Sequence, residues 1–148
     1  MNKQIFLKNV ATMVACFAVC FMMSCKEGGV IDDLASGGSA KFSPPTWIQG
    51  SWGMEGYEIF KFTTNDIFVW GTSLKATFQS VAGVTYSCKE TSTSTLYEVK
   101  VTQKYLGSET AAGTFSFKKG DGTYIDAATA DEGDIIQPSD YERLNKMN

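Results

Sequence analysis

The chain contains no histidine. That removes the commonest general base and metal ligand, and with it Ser-His-Asp and Cys-His catalysis and most zinc sites. Cysteines stand at positions 16, 20, 25 and 88. Cys88 lies in VTYSCKE with Val84 and Tyr86 at period two, the setting of a buried, inert thiol rather than a nucleophile. Carboxylates gather at Asp126, Asp131, Glu132 and Asp134. However, DAATADEGD lacks the alternating ligand spacing of an EF-hand loop and reads as a solvated loop. No pair of carboxylates is singled out for glycoside hydrolysis. The residue types left for recognition are aromatic: Phe60, Phe62, Trp70, Phe78, Tyr86, Tyr97, Phe115 and Phe117. They could line an apolar pocket open at one end, with the Tyr86 and Tyr97 hydroxyls as polar contacts, or they could be the whole core of a small domain. The expectation is a protein with no catalytic residues, no metal and no cofactor.

The elements that carry these residues begin after an N-terminal segment of another kind. MNKQIFLKN holds Lys3 and Lys8 and no acid, and Val10–Met23 is an uncharged run of fourteen residues ending at Ser24 and Cys25. A basic stretch followed by an apolar run too short for a membrane span of about 20 residues has the form of a secretory signal. Its ending, Met22-Met23-Ser24-Cys25, resembles the lipobox of bacterial lipoproteins. That resemblance implies cleavage before Cys25 and acylation of that cysteine on its sulfur and its new amino group, an anchor beyond the two lipid signals that stable attachment needs. Cys16 and Cys20 would leave with residues 1–24, and Cys88 would be the one free thiol. Loss of Lys3 and Lys8 makes the formal charge of −3 two units more negative. An acidic chain with a single arginine is a poor ligand for nucleic acid, so the expected partner is a membrane, met through the lipid.

Residues 25–44 are rich in Gly, Ser and Pro and read as a flexible tether. Lys26 and Glu27 after the cysteine resemble the sorting residues of outer-membrane and surface-displayed lipoproteins, which implies an outer-membrane location on the periplasmic or cell-surface face. From residue 45 the chain turns to short aromatic and β-branched runs: WIQGSWG (47–53), YEIFKFT (57–63), DIFVWGT (66–72), VTYSCKE (84–90), LYEVKVTQK (96–104), TAAGTFSFKK (110–119) and TYIDA (123–127). Tyr97, Val99 and Val101 alternate with Glu98, Lys100 and Thr102, the period of a half-buried antiparallel strand. Asn65-Asp66 and Gly120-Asp121-Gly122 supply turns. Leu74, Phe78, Val81 and Ala82 fall at helical spacing and predict one short helix. Residues 139–146 fit a helix or a strand, and a closing strand is favoured because an open sheet leaves its edges unprotected.

The fold class expected is all-β: an antiparallel up-and-down β-barrel of about eight strands with one short helix over residues 45–148. Gly50-Ser51-Trp52 near the start of that domain resembles the G-x-W signature of lipocalins and their calycin relatives. The resemblance implies that Gly50 lets the first strand bend across the closed end of the barrel, that Trp52 plugs it, and that an arginine of the last strand, here Arg143, lies over the indole. It also implies a lipid-anchored binding protein for an apolar or amphipathic small molecule, with its pocket at the end away from Trp52. A solid-core structural or interaction module contacting an envelope protein is the other reading of the same residues.

Overall fold

The computed structural model describes residues 6–8, 10–11, 41–79 and 84–148. Nine strands form: β1 (Gly50–Met54), β2 (Tyr57–Phe62), β3 (Ile67–Val69), β4 (Thr72–Ser73), β5 (Val84–Ser92), β6 (Leu96–Tyr105), β7 (Ser108–Lys119), β8 (Tyr124–Asp131) and β9 (Glu142–Met147). They make one antiparallel sheet in the order β4-β3-β2-β1-β9-β8-β7-β6-β5. The last strand lies between the first and the eighth: Trp52 is opposite Lys146 and Ile125 opposite Leu144. No ladder joins β4 to β5, so the sheet is not closed.

Alternation along the strands is what the side chains dictate. On β6, Tyr97, Val99 and Val101 are buried while Lys100 and Lys104 face solvent. On β7, Phe115 and Phe117 are buried and Lys118 is exposed. Each such large apolar side chain contributes roughly 1.5–3 kcal/mol when withdrawn from water. The rings of β2 meet those of β6 and β7 although β1, β9 and β8 separate them in the sheet. Phe117 makes edge-on contacts to Phe60 and Phe62 at 5.1 and 5.0 Å, and Phe62 meets Tyr97 at 6.3 Å. The sheet is therefore curled, with one face turned in on a common core.

Successive turns lie at alternate ends of the sheet. The lower end has the entry segment Thr46–Ile48 and the polar turns 63–66, 93–95 and 120–123. The upper end has three two-residue hairpins, Glu55-Gly56, Trp70-Gly71 and Leu106-Gly107, and the loop 132–141. In each hairpin both residues have positive φ, from 48° to 85°, the geometry whose twist matches that of antiparallel strands. This corrects two expectations. DIFVWGT is not one strand, because Trp70 (φ 48°) turns the chain and separates β3 from β4. WIQGSWG is extended only from Gly50, where φ of +121° starts the strand in a conformation side chains rarely adopt.

The short helix covers Leu74–Gln79, and Val81 and Ala82 lie outside the described residues. At the other end, a single 3-10 turn (Pro138–Asp140) precedes a strand, so residues 142–147 close onto β1 and β8. The cleft between edge strands β4 and β5 is bridged by side chains. Phe78 of the short helix stacks on Tyr86 of β5 at 4.3 Å, and Phe42 packs on Phe78 at 6.1 Å. The Ser43 amide donates to both carboxylate oxygens of Glu90, at 2.9 and 3.1 Å. Most of the stretch 25–44 lies outside the described residues, but Phe42 and Pro44 are buried, so ordered packing begins before Pro45. Residues 6–8 and 10–11 are helical, and Phe6 and Val10 are fully buried in the same core cluster.

Candidate ligand-binding end of the sheet

Trp52 projects from β1 to the lower end, 1% exposed, where its Nε1 donates to the Ile48 carbonyl at 2.6 Å. The cation over its ring is Lys146 of β9, with Nζ 5.6 Å from the centroid. Arg143 is elsewhere. Its guanidinium lies 3.7 Å over the Tyr124 ring and its Nε bonds Asp126 at 3.3 Å. The reason is period two: Leu144 is in the core, which turns Arg143 outward and aligns Lys146 with Trp52 across the β1–β9 pair. The lower end is thus stoppered by indole, entry segment and lysine, and Arg143 takes no part. Gly53 follows at a bulge where a Cβ would come within 2.0 Å of the Tyr57 carbonyl oxygen, so no side chain fits there.

Seven of the eight aromatic candidates, Phe60, Phe62, Phe78, Tyr86, Tyr97, Phe115 and Phe117, are buried ring against ring. They make the centre of the core rather than the wall of a cavity. The Tyr97 hydroxyl donates to Glu90, and Glu90 thus ties the β6 tyrosine to the Ser43 amide. Burial first, and then the Glu90 bond and charge, push the Tyr97 phenol well above its usual range. Burial and the nearby Glu90 charge likewise push the Cys88 thiol up to about 12, so it is protonated and unreactive at neutral pH.

Trp70 is the exception among the aromatics. It stands at the upper end, 41% exposed, and lines a cavity of about 520 Å³ with Met54, Tyr57, Ile59 and the carboxylate-bearing Glu55 and Glu58. The remaining wall is the N-terminal helical stretch, through Leu7, Lys8 and Ala11. Ile59 is the extra residue of the β1–β2 bulge, between Phe60 opposite Trp52 and Glu58 opposite Gly53. The bulge turns Ile59 toward the interior beside Met54. Sequence reasoning passed over Met54, Tyr57 and Ile59. The signal that would have found them was Glu55-Gly56 as a tight turn, which puts its flanking residues at one mouth. Deeper in the β8 strand, Thr129 is buried with its Oγ1 unpartnered among the described residues.

The large apolar side chains exposed among the described residues, Tyr57, Trp70, Tyr105, Leu106 and Ile135, all belong to upper-end turns or their flanks. The lower-end turns carry Thr, Ser, Asn, Asp and Gly instead. The acidic cluster does not assemble. Asp126 pairs with Arg143 on the outer face, while Asp131, Glu132 and Asp134 follow one another through an exposed turn. No group of three metal-ligating side chains occurs among the described residues. Ser116, fully buried on that outer face, bonds Glu98 and the Tyr141 hydroxyl, and Lys118 lies 3.7 Å over the Tyr141 ring. Cys25, the expected lipid attachment residue, lies outside the described residues. No protein-family model, curated protein or solved structure matches the chain.

Proposed function

We propose that the chain is a lipid-anchored, lipocalin-like binding protein of the outer membrane, attached through Cys25, whose curled sheet serves as a small barrel and takes an apolar or amphipathic small molecule at its upper end. The observation that carries this reading is the open pocket opposite the Trp52 end, about 520 Å³ with residues 7, 8 and 11 in place, whose sheet-borne side is the apolar Met54, Tyr57, Ile59 and Trp70 with Glu55 and Glu58 beside them, a lining of the kind small-molecule sites use. Pairing of the first strand with the last, and ring contacts from β2 to β7, support the barrel reading. Cleavage before Cys25 would take away Leu7, Lys8 and Ala11 and uncover the surfaces that Phe6 and Val10 now occupy. A site for an apolar group would result.

The test is titration with a neutral apolar fluorophore such as N-phenyl-1-naphthylamine. Saturable binding, weakened about tenfold by Trp70→Ala as one well-placed apolar contact is lost and unchanged by Lys146→Ala, is the expected result. Absence of binding would favour the second reading, a solid-core interaction module of the envelope, for which the ring-on-ring packing of the seven central aromatics speaks.

A further inference from the structure

The segment that enters the domain runs down the cleft between β4 and β5. Phe42 packs on Phe78, which stacks on Tyr86 near the upper end of β5. The Ser43 amide bonds Glu90 further down that strand, and the Trp47 indole bonds the Thr93 carbonyl at the lower turn. Lys41 therefore comes to the domain from its upper half. Tyr86 is roughly 7 Å of strand from the upper end of β5 and roughly 20 Å from the lower. Cys25 stands sixteen positions before Lys41, a separation for which a Gly/Ser-rich chain has a typical reach of about 20–24 Å. A lipid on Cys25 thus holds the upper end, and not the Trp52 end, against the bilayer.

That same end carries the exposed large apolar side chains. Tyr57, Trp70, Tyr105, Leu106 and Ile135 come from three hairpins and the loop 132–141, four separate turns brought to one side of the molecule. Trp70 and Leu106 stand at positive φ, 48° and 50°, where Gly, Asn or Asp would be less strained. Tryptophan and tyrosine, apolar in body and polar at one edge, suit the layer between headgroups and acyl chains. From this we infer that the upper end is a membrane-contacting face, whose hairpin tips rest in the interfacial layer of the bilayer that holds the Cys25 lipid. The inference rests on the lipid-anchor reading above and adds an orientation to it: the pocket beside Trp70 opens toward lipid, so an apolar ligand passes between bilayer and pocket without crossing water. Glu55, Glu58, Glu109, Asp131, Glu132 and Asp134 stand at this end with Lys104, which matches a zwitterionic surface and repels an anionic one. Weak contacts suffice, since the tether keeps the tips at high effective concentration over the bilayer.

The experiment joins residues 25–148, the mature chain of that reading, to phosphatidylcholine vesicles by coupling the Cys25 thiol to a maleimide lipid. The Cys88 thiol, raised to about 12, stays protonated and does not compete at neutral pH. Lipid brominated on its acyl chains is expected to quench tryptophan emission. Trp70→Phe should abolish the quenching, because Trp47 and Trp52 lie at the other end, and Leu106→Asn with Ile135→Ser should remove most of it. Asn accepts the positive φ at 106 and neither residue lines the pocket, so this double variant should bind N-phenyl-1-naphthylamine as before in the absence of vesicles, which also reports that it folds. Phosphatidylglycerol in the vesicles should weaken the quenching, and stronger quenching would contradict the match to a zwitterionic surface. Quenching that is absent, that survives Trp70→Phe, or that the double variant leaves unchanged overturns the inference. Fluorophore binding by the same protein then keeps the binding reading, and its loss overturns both. Absence of acyl labelling at Cys25 in cells overturns the anchor and the inference that rests on it, whatever the vesicles show.

Discussion

Replacing Trp52 by alanine separates the stopper from a ligand contact. The indole is 1% exposed and donates to the Ile48 carbonyl at 2.6 Å. A tryptophan side chain buries roughly 150–250 Å², which at about 25 cal/mol per Å² is roughly 4–6 kcal/mol. Compactness of the unfolded chain lowers this, and core truncations of Phe or Trp to Ala cost about 3–5 kcal/mol. The lost hydrogen bond is worth about 1 kcal/mol net. Trp52→Ala is therefore expected to cost about 4–5 kcal/mol, a large part of the roughly 5–15 kcal/mol that holds an ordinary domain folded. Trp52→Phe, which keeps most of the apolar ring and loses the N–H, should cost about 1–2 kcal/mol. Urea unfolding followed by circular dichroism measures both. A double-mutant cycle then distinguishes the two cations. Lys146→Ala combined with Trp52→Phe should show coupling, whereas Arg143→Ala with Trp52→Phe should be additive within about 0.5 kcal/mol, as for groups that share no contact. Normal unfolding of Trp52→Ala with lost ligand binding would refute the reasoning, and so would coupling of Trp52 to Arg143.

Three further outcomes follow from other parts of the molecule. Glu90→Gln removes the charged acceptor shared by the Ser43 amide and the Tyr97 hydroxyl and should cost about 1.5–3 kcal/mol; Tyr97→Phe should be strongly non-additive with it in urea unfolding, and simple additivity would deny the shared bond. Cys88, whose thiol is raised from 9.0 to about 12, binds its proton more tightly folded than unfolded. Its contribution to stability is whole below about pH 9 and is lost as pH rises toward 12. Cys88→Ala should shrink the fall of the urea midpoint across that window, leaving the part due to Tyr97, whose phenol is raised for the same reason; an unchanged fall would contradict the assignment. Cys25→Ala should abolish incorporation of a labelled acyl precursor, and labelling that persists in this variant would overturn the anchor.

The strands were legible because their residues alternate in type. Tyr97, Val99 and Val101 against Lys100, and Phe115 and Phe117 against Lys118, set both the period and the face, and burial follows them. Turns with Asn, Asp and Gly were legible for the same local reason. Trp70 was not, since an aromatic after Ile67, Phe68 and Val69 continues a strand pattern, and only pairing of β3 with β4 forces it to positive φ. The cation at Trp52 was sought by residue type, which selected the single arginine. Register decides it instead, and the burial of Leu144 assigns Arg143 to the outside. The upper-end site was the least legible part. Met54, Tyr57 and Ile59 come together through a bulge and a hairpin, and one wall comes from residues more than forty positions earlier in the chain. Sequence spacing does not encode that meeting.

The central claim is that ligand binds at the upper end and leaves the Trp52 end undisturbed, and the three tryptophans report on it separately. The Trp47 and Trp52 indole N–H groups donate to the carbonyls of Thr93 and Ile48 at the lower end, while Trp70 lines the upper cavity. In a ¹⁵N-correlated spectrum of the chain lacking residues 1–24, titration with the neutral apolar fluorophore should shift the Trp70 indole resonance and leave those of Trp47 and Trp52 in place. Shifts at Trp52 or Trp47 with Trp70 unmoved would contradict the account.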